Sequence, residues 1–134
     1  MTKSLFKAVA LLLAALLLLT GCSGKGKSST DQFEKLLNPK EPVSIEIWHY
    51  YNGPQKQAFD KAVEEFNNGV GKEKGIIVEA FSQGNISELT EKVLDAANKK
   101  VGADDVPDVF AAYADTAYAV DQLGLAAELD QYMT

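Results

Sequence analysis

The sequence predicts an α/β fold, a parallel sheet with flanking helices, and three observations predict it. A β-branched or aromatic run, then a polar turn, then an apolar stripe at helical spacing begins at Val43 and recurs from Ile76 and from Pro107. The starts lie about 30 residues apart, the length of one strand with its crossover helix. Strands alternating with helices at this step pair in parallel through right-handed connections. Hydrophobic residues make up 46% of the chain and charged ones 24%, ordinary values for a globular domain, and 134 residues allow at most one.

The first unit opens with Val43, Ile45 and Ile47 alternating with Ser44, Glu46 and Trp48, the period of a strand. Asn52-Gly53-Pro54 ends it: Asn or Gly caps a helix, and Pro suits the first helical position. Phe59, Ala62, Val63 and Phe66 then form a helical stripe, which Asn67-Asn68-Gly69 stops. Lys72 to Gly75 reads as a polar connection. Ile76 to Phe81 is the second strand, and Ser82-Gln83-Gly84-Asn85 is its exit turn. Asn85 with Glu88 three residues on has the pattern of a capping box. Ile86, Leu89, Val93 and Ala97 make one apolar face with Leu94 beside it, and Lys99-Lys100 fall near the negative pole of that helix.

Val101 to Asp105 is a turn, and Pro107 to Ala112 the third strand. Its apolar run suits a strand covered on both faces. Tyr113-Ala114-Asp115 forms the exit, with Asp115 placed to cap a helix through Gln122 and Gly124 as its C-cap. Leu125 to Tyr132 is apolar enough to dock. Three strands leave at least one sheet edge unpaired, so the chain is expected to be a fragment of a longer protein.

Ahead of this body stands an address. Lys3 and Lys7 flank the start of an apolar run from Ala8 to Leu19, too short to span a bilayer, which takes about 20 residues. Leu19-Thr20-Gly21-Cys22 resembles the bacterial lipobox, in which small residues precede an acylated cysteine. The resemblance implies a signal peptide over 1–21, cleavage before Cys22 and lipidation, palmitate included, at its new amino terminus. Cys22 is the one cysteine of the chain, so no internal disulfide forms. The segment 22–42 reads as the acylated Cys22 and a flexible tether, because Ser23 to Thr30 holds only Gly, Ser, Lys and one Thr. A short helix turn is expected from Asp31 to Leu37, before Asn38-Pro39 and Glu41-Pro42 enforce extended chain. Residues 43–134 form the α/β lobe.

All 13 basic residues are Lys, and the net charge is -6. Loss of Lys3 and Lys7 with the signal takes it to -8. An acidic chain without Arg makes a poor nucleic-acid binder, since phosphate neutralisation supplies most of that affinity, so no nucleic-acid partner is expected. A single His and a single Cys offer no metal cluster, and no cofactor is expected. His49 has no Ser, Cys or carboxylate placed to make it a catalytic partner, so no enzymatic activity is expected. A Gly-x-Ser-x-Gly elbow is absent.

The lipobox, the tether, the strand ending at Trp48, the helix carrying Phe59 and Phe66, Val106-Pro107-Asp108-Val109-Phe110 and Gly124-Leu125-Ala126-Ala127-Glu128-Leu129 together resemble extracellular solute-binding proteins. The subgroup is the sugar-binding type that serves ABC importers. The likeness runs from Ser4 to Tyr132 and covers about the first third of a usual member. It implies a partial first lobe of a two-lobed periplasmic-binding-protein-like fold. It also implies a carbohydrate ligand, ABC permease subunits as partners, and residence on the extracytoplasmic face of the cell membrane. Weak sugar binding by this segment alone, or none, follows from the same picture, because closure needs both lobes. Other solutes (glycerol-phosphate, polyamine, iron, a peptide) and the first segment of a surface hydrolase stay open as alternatives.

Geometry nominates the ligand residues. Three parallel strands bring their exits to one sheet edge, where open α/β sheets hold small ligands. A sugar needs amide and carboxylate acceptors beside aromatic platforms. The exits supply Tyr51 and Asn52, Gln83 and Asn85, and Tyr113 and Asp115. Members of the resembled family often place a ligand-contacting Asp soon after the third strand, and Asp115 matches that position. They also often end that strand in an aromatic residue; here Ala112 stands there and Tyr113 follows.

Overall fold

The computed structural model describes residues 36–130 and 132. The signal segment, Cys22, the Gly/Ser/Lys tether and most of the helix turn expected before Leu37 lie outside them. Among the described residues no helix is long and apolar enough to cross a membrane.

The architecture is α/β, as the periodicities predict. The elements are β1 (Val43–His49), α1 (Gly53–Phe66), a wide helical turn (Asn67–Gly71), the single turn α2 (Lys72–Lys74), β2 (Ile76–Ser82), α3 (Ile86–Ala97), β3 (Val109–Phe110) and α4 (Ala114–Gln122). The sheet order is β2-β1-β3, with both pairings parallel. Val43 is opposite Ile76 and Ile47 opposite Val109, so all three strands end at the same sheet edge.

In a parallel strand, successive residues bond to alternate neighbours. Gly75 accepts from the Val43 amide and Gln83 donates to the His49 carbonyl, so the odd residues of β2 face β1. On β1 the even residues face β3: Trp48 accepts from Ala111, and the Glu46 amide donates to Asp108. That last bond runs to the Asp108 carboxylate at 2.8 Å and not to a backbone carbonyl. Here lies the main departure from the sequence reading, which extends the third strand from Pro107 to Ala112. Pro107 has no amide to donate and Asp108 meets β1 through its side chain, so regular pairing is confined to Val109–Phe110. Val109 is also exposed, so the strand is not covered on both faces.

The core lies on one face of the sheet. Trp48, 2% exposed, packs with Leu89, Val93, Ala96 and Ala97 of α3 and Val120 of α4. The other face carries Ile45 and Ile47 under α1, which half-buries Phe59, Val63 and Phe66 while Ala62 points to solvent. The capping box forms as predicted: Asn85 accepts from the Ser87 and Glu88 amides, and Glu88 returns to the Asn85 amide. At the start of α4 the expectation fails. The N-cap is Tyr113, without a side-chain bond, and Asp115 lies inside the first turn. Gly124 follows the C-cap Leu123 in the left-handed region, as a terminating glycine does.

Asn67-Asn68-Gly69 ends α1 as the sequence predicts: the helix stops at Phe66, and Gly69, at φ -105° and ψ -109°, leaves helical geometry and kinks the chain. One further turn, α2, leads to Gly75, which at φ 78° turns the chain into β2. A Cβ on Gly71 would meet the Ile76 carbonyl at 2.6 Å, so this reversal requires glycine for close approach.

Candidate functional site

The three exits do share one edge, and each is tied down differently. At β1, Asn52 donates from Nδ2 to the Tyr50 carbonyl at 3.0 Å and the Gly84 carbonyl at 2.9 Å, bridging to the β2 exit. Its side chain makes no cap bond to α1. Tyr51 turns toward α1. Its ring stacks on His49 at 5.0 Å and meets Phe59 edge-on at 5.1 Å, while its carbonyl accepts from Ser82 Oγ. Gln83 Oε1 accepts from Lys92 Nζ at 2.7 Å. The Asn85 side-chain oxygen, Oδ1, is occupied by the two capping amides.

Tyr113 and Asp115 differ from these four. Tyr113 is 63% exposed at the start of α4, and Asp115 is exposed beside it, its Oδ1 accepting from the Thr116 amide at 2.8 Å. Both line a cavity of about 540 Å³ between the start of α3 and the start of α4. That size falls in the ordinary range for small-ligand sites. Ser87, Thr90 and Glu91 line it from α3, and Lys100 lies at its far end. Lys100 is held by Asp95, whose carboxylate keeps the ammonium above its usual range. Buried Thr116 places its hydroxyl 3.5 Å from that of Thr90.

Of the six nominated residues, then, Tyr113 and Asp115 enter one concave site. Asn52, Gln83 and Asn85 shape the edge through bonds to the protein, and Tyr51 packs against α1. Sequence reasoning missed Ser87, Thr90 and Glu91. They recur at helical spacing on one side of α3, but such a stripe by itself reads as a solvated face.

The groove offers hydroxyls, carboxylates and an aromatic ring. It contains no nucleophile paired with a base, for His49 is buried on the α1 side of the sheet. Among the described residues no group of three or more His, Cys, Asp or Glu is placed to hold a metal ion. Compared with known proteins, the chain matches no family model, no curated protein and no solved structure at a significant level.

Proposed function

We propose that this chain is the membrane-anchored, extracytoplasmic substrate-binding component of a carbohydrate ABC importer, moored by lipid at Cys22. It performs no chemistry. Ligand capture biases a conformational equilibrium that permease subunits read. The observation that best supports binding is the groove between α3 and α4, where Tyr113 offers a ring face beside the Asp115, Ser87 and Thr90 oxygens. Sugars present that combination in mirror image, an apolar ring face and a rim of hydroxyls. The resemblance of the lipobox, the Pro107-Asp108 motif and the closing Gly124 to Leu129 pattern to the sugar-binding family adds the importer context. A second reading, a polyamine or other cationic solute, is favoured by Glu91, Asp95 and Asp115 lining the same groove.

The test is amide shift mapping of the full chain in detergent micelles with glucose, maltose and spermidine, each to tens of millimolar. Saturable shifts at Ser87, Thr90 and Asp115 with a sugar, weakened at least about tenfold by Tyr113→Ala, are expected; that factor is the ~1.4 kcal/mol of a stacked aromatic. Shifts with spermidine alone carry the second reading, and a groove unmoved by all three overturns both. Mooring has its own test. Cys22→Ala leaves an unprocessed or released protein, and a membrane-associated variant of mature length would exclude lipidation.

A further inference from the structure

We propose that His49 is a proton-operated latch on the strand-exit edge: neutral, it holds the β1 and β2 exits together; protonated, it releases them. The proposal concerns the edge itself and does not depend on which solute the exits receive.

Two features define the latch. The His49 ring is 1% exposed, and its Nδ1 accepts from the Tyr51 amide at 3.1 Å. An accepting Nδ1 carries no proton, so the neutral ring bears its hydrogen on Nε2, and Nε2 is buried without a hydrogen-bond partner. The ring is clamped between Tyr51, stacked at 5.0 Å, and Phe59, edge-on at 5.0 Å. Three bonds that fasten the two exits surround this ring. The His49 carbonyl accepts from Gln83, the Tyr51 carbonyl accepts from Ser82 Oγ, and Asn52 bridges to Gly84.

A proton arriving from solvent binds Nδ1, where the Tyr51 amide already points. Two donors then face each other, and a charge is buried with no acceptor at Nε2. Nearby ionisable groups do not compensate for this. The α1 neighbours Lys56 and Asp60 are paired to each other at 2.6 Å. On β2 the register neighbour is Ser82, and the β3 exit brings Ala111 and Ala112; neither side supplies a charge. Tyr51 is the remaining titratable neighbour. Burial lowers the His49 value from its ordinary one, Lys56 adds to the lowering, and Asp60 opposes it. A His whose value is depressed in the closed form favours closure above about pH 6.5. That preference is lost as pH falls toward the depressed value, because the released ring takes up the proton.

The experiment is amide hydrogen exchange of the full chain in detergent micelles from pH 7.5 to 5, corrected for intrinsic rates. His49→Asn, which retains an acceptor near Nδ1 and cannot titrate, is the reference. Protection at Tyr51 and Gln83 should fall in the wild type, approaching tenfold per pH unit below about 6.5, while Val93 in the core holds. Identical pH dependence in the two proteins, or loss at Val93 in step with Tyr51, overturns the latch. Should His49→Asn fail to fold, the wild-type imidazole nitrogens decide. A titration of Nδ1 that moves the Tyr51 amide resonance with the same midpoint supports the latch, and one that leaves that resonance still overturns it.

Discussion

Trp48→Ala lowers the unfolding free energy by about 3–5 kcal/mol, a large share of what a small domain possesses. Every other member of the buried cluster, Leu89, Val93, Ala96, Ala97 and Val120, comes from α3 or α4. Trp48 is therefore the one fully buried side chain that the sheet contributes to this cluster, with half-buried Tyr50 and Phe110 packed against it, and alanine there leaves a void that two helices must collapse to fill. A polar loss accompanies the apolar one. The indole Nε1 donates to the Glu46 carboxylate, and Glu46 stands opposite Glu79 in the β1–β2 register. Truncation leaves two like charges side by side with one donor fewer. Urea denaturation followed by circular dichroism measures the loss. Trp48→Phe, which keeps an aromatic body, should recover more than half of it, and Tyr118→Ala, at a 64% exposed position, should stay within about 0.5 kcal/mol of wild type. A Trp48→Ala midpoint shift worth less than about 1 kcal/mol would mean that α3 and α4 hold to the sheet by other means.

What the sequence made legible follows from how local each signal is. The alternation in β1 and β2, and the Asn85–Glu88 cap, involve residues within a few positions of one another, and all stand in the structure. The shared exit edge follows from parallel topology alone, so it too was foreseeable. Side-chain availability on that edge was not. Asn52 is consumed by a carbonyl 32 residues away, Gln83 by a lysine on the next helix, and Tyr51 by a ring on α1. Each partner is brought by tertiary packing, which a pattern of residue types does not encode. The same reason explains the short β3: nothing local says that the Asp108 carboxylate takes the place of a backbone acceptor. Conversely, the groove beside Tyr113 and Asp115 needed the helix pair α3 and α4 in place before Ser87, Thr90 and Glu91 acquired a shared surface.

Asn67→Ala should cost about 2–3 kcal/mol and turn a folded edge into a sticky one. Among the described residues no strand lies beside the outward-facing residue Val78, yet both its backbone groups are paired: its amide donates to Asn67 Oδ1 at 2.8 Å and its carbonyl accepts from Asn67 Nδ2 at 2.9 Å. One carboxamide thus reproduces a peptide group of a missing neighbour and blocks that stretch of the β2 edge. The widened turn from Asn67 to Gly71 is what brings the side chain there, directly after α1. Alanine leaves a partly buried donor and acceptor unmatched, each worth about 1–3 kcal/mol when fully desolvated and less when water reaches it. It also bares a row of strand groups to other copies of the chain. Asn67→Asp separates the two contributions: a carboxylate still accepts from the Val78 amide but faces the carbonyl with no donor, so it should fall between wild type and alanine in stability while its charge limits association. Urea midpoints and light scattering at matched concentration report the two effects. If Asn67→Ala melts with the wild type and scatters no more, water substitutes for the carboxamide, and the edge is guarded by the twist of the sheet and not by this side chain.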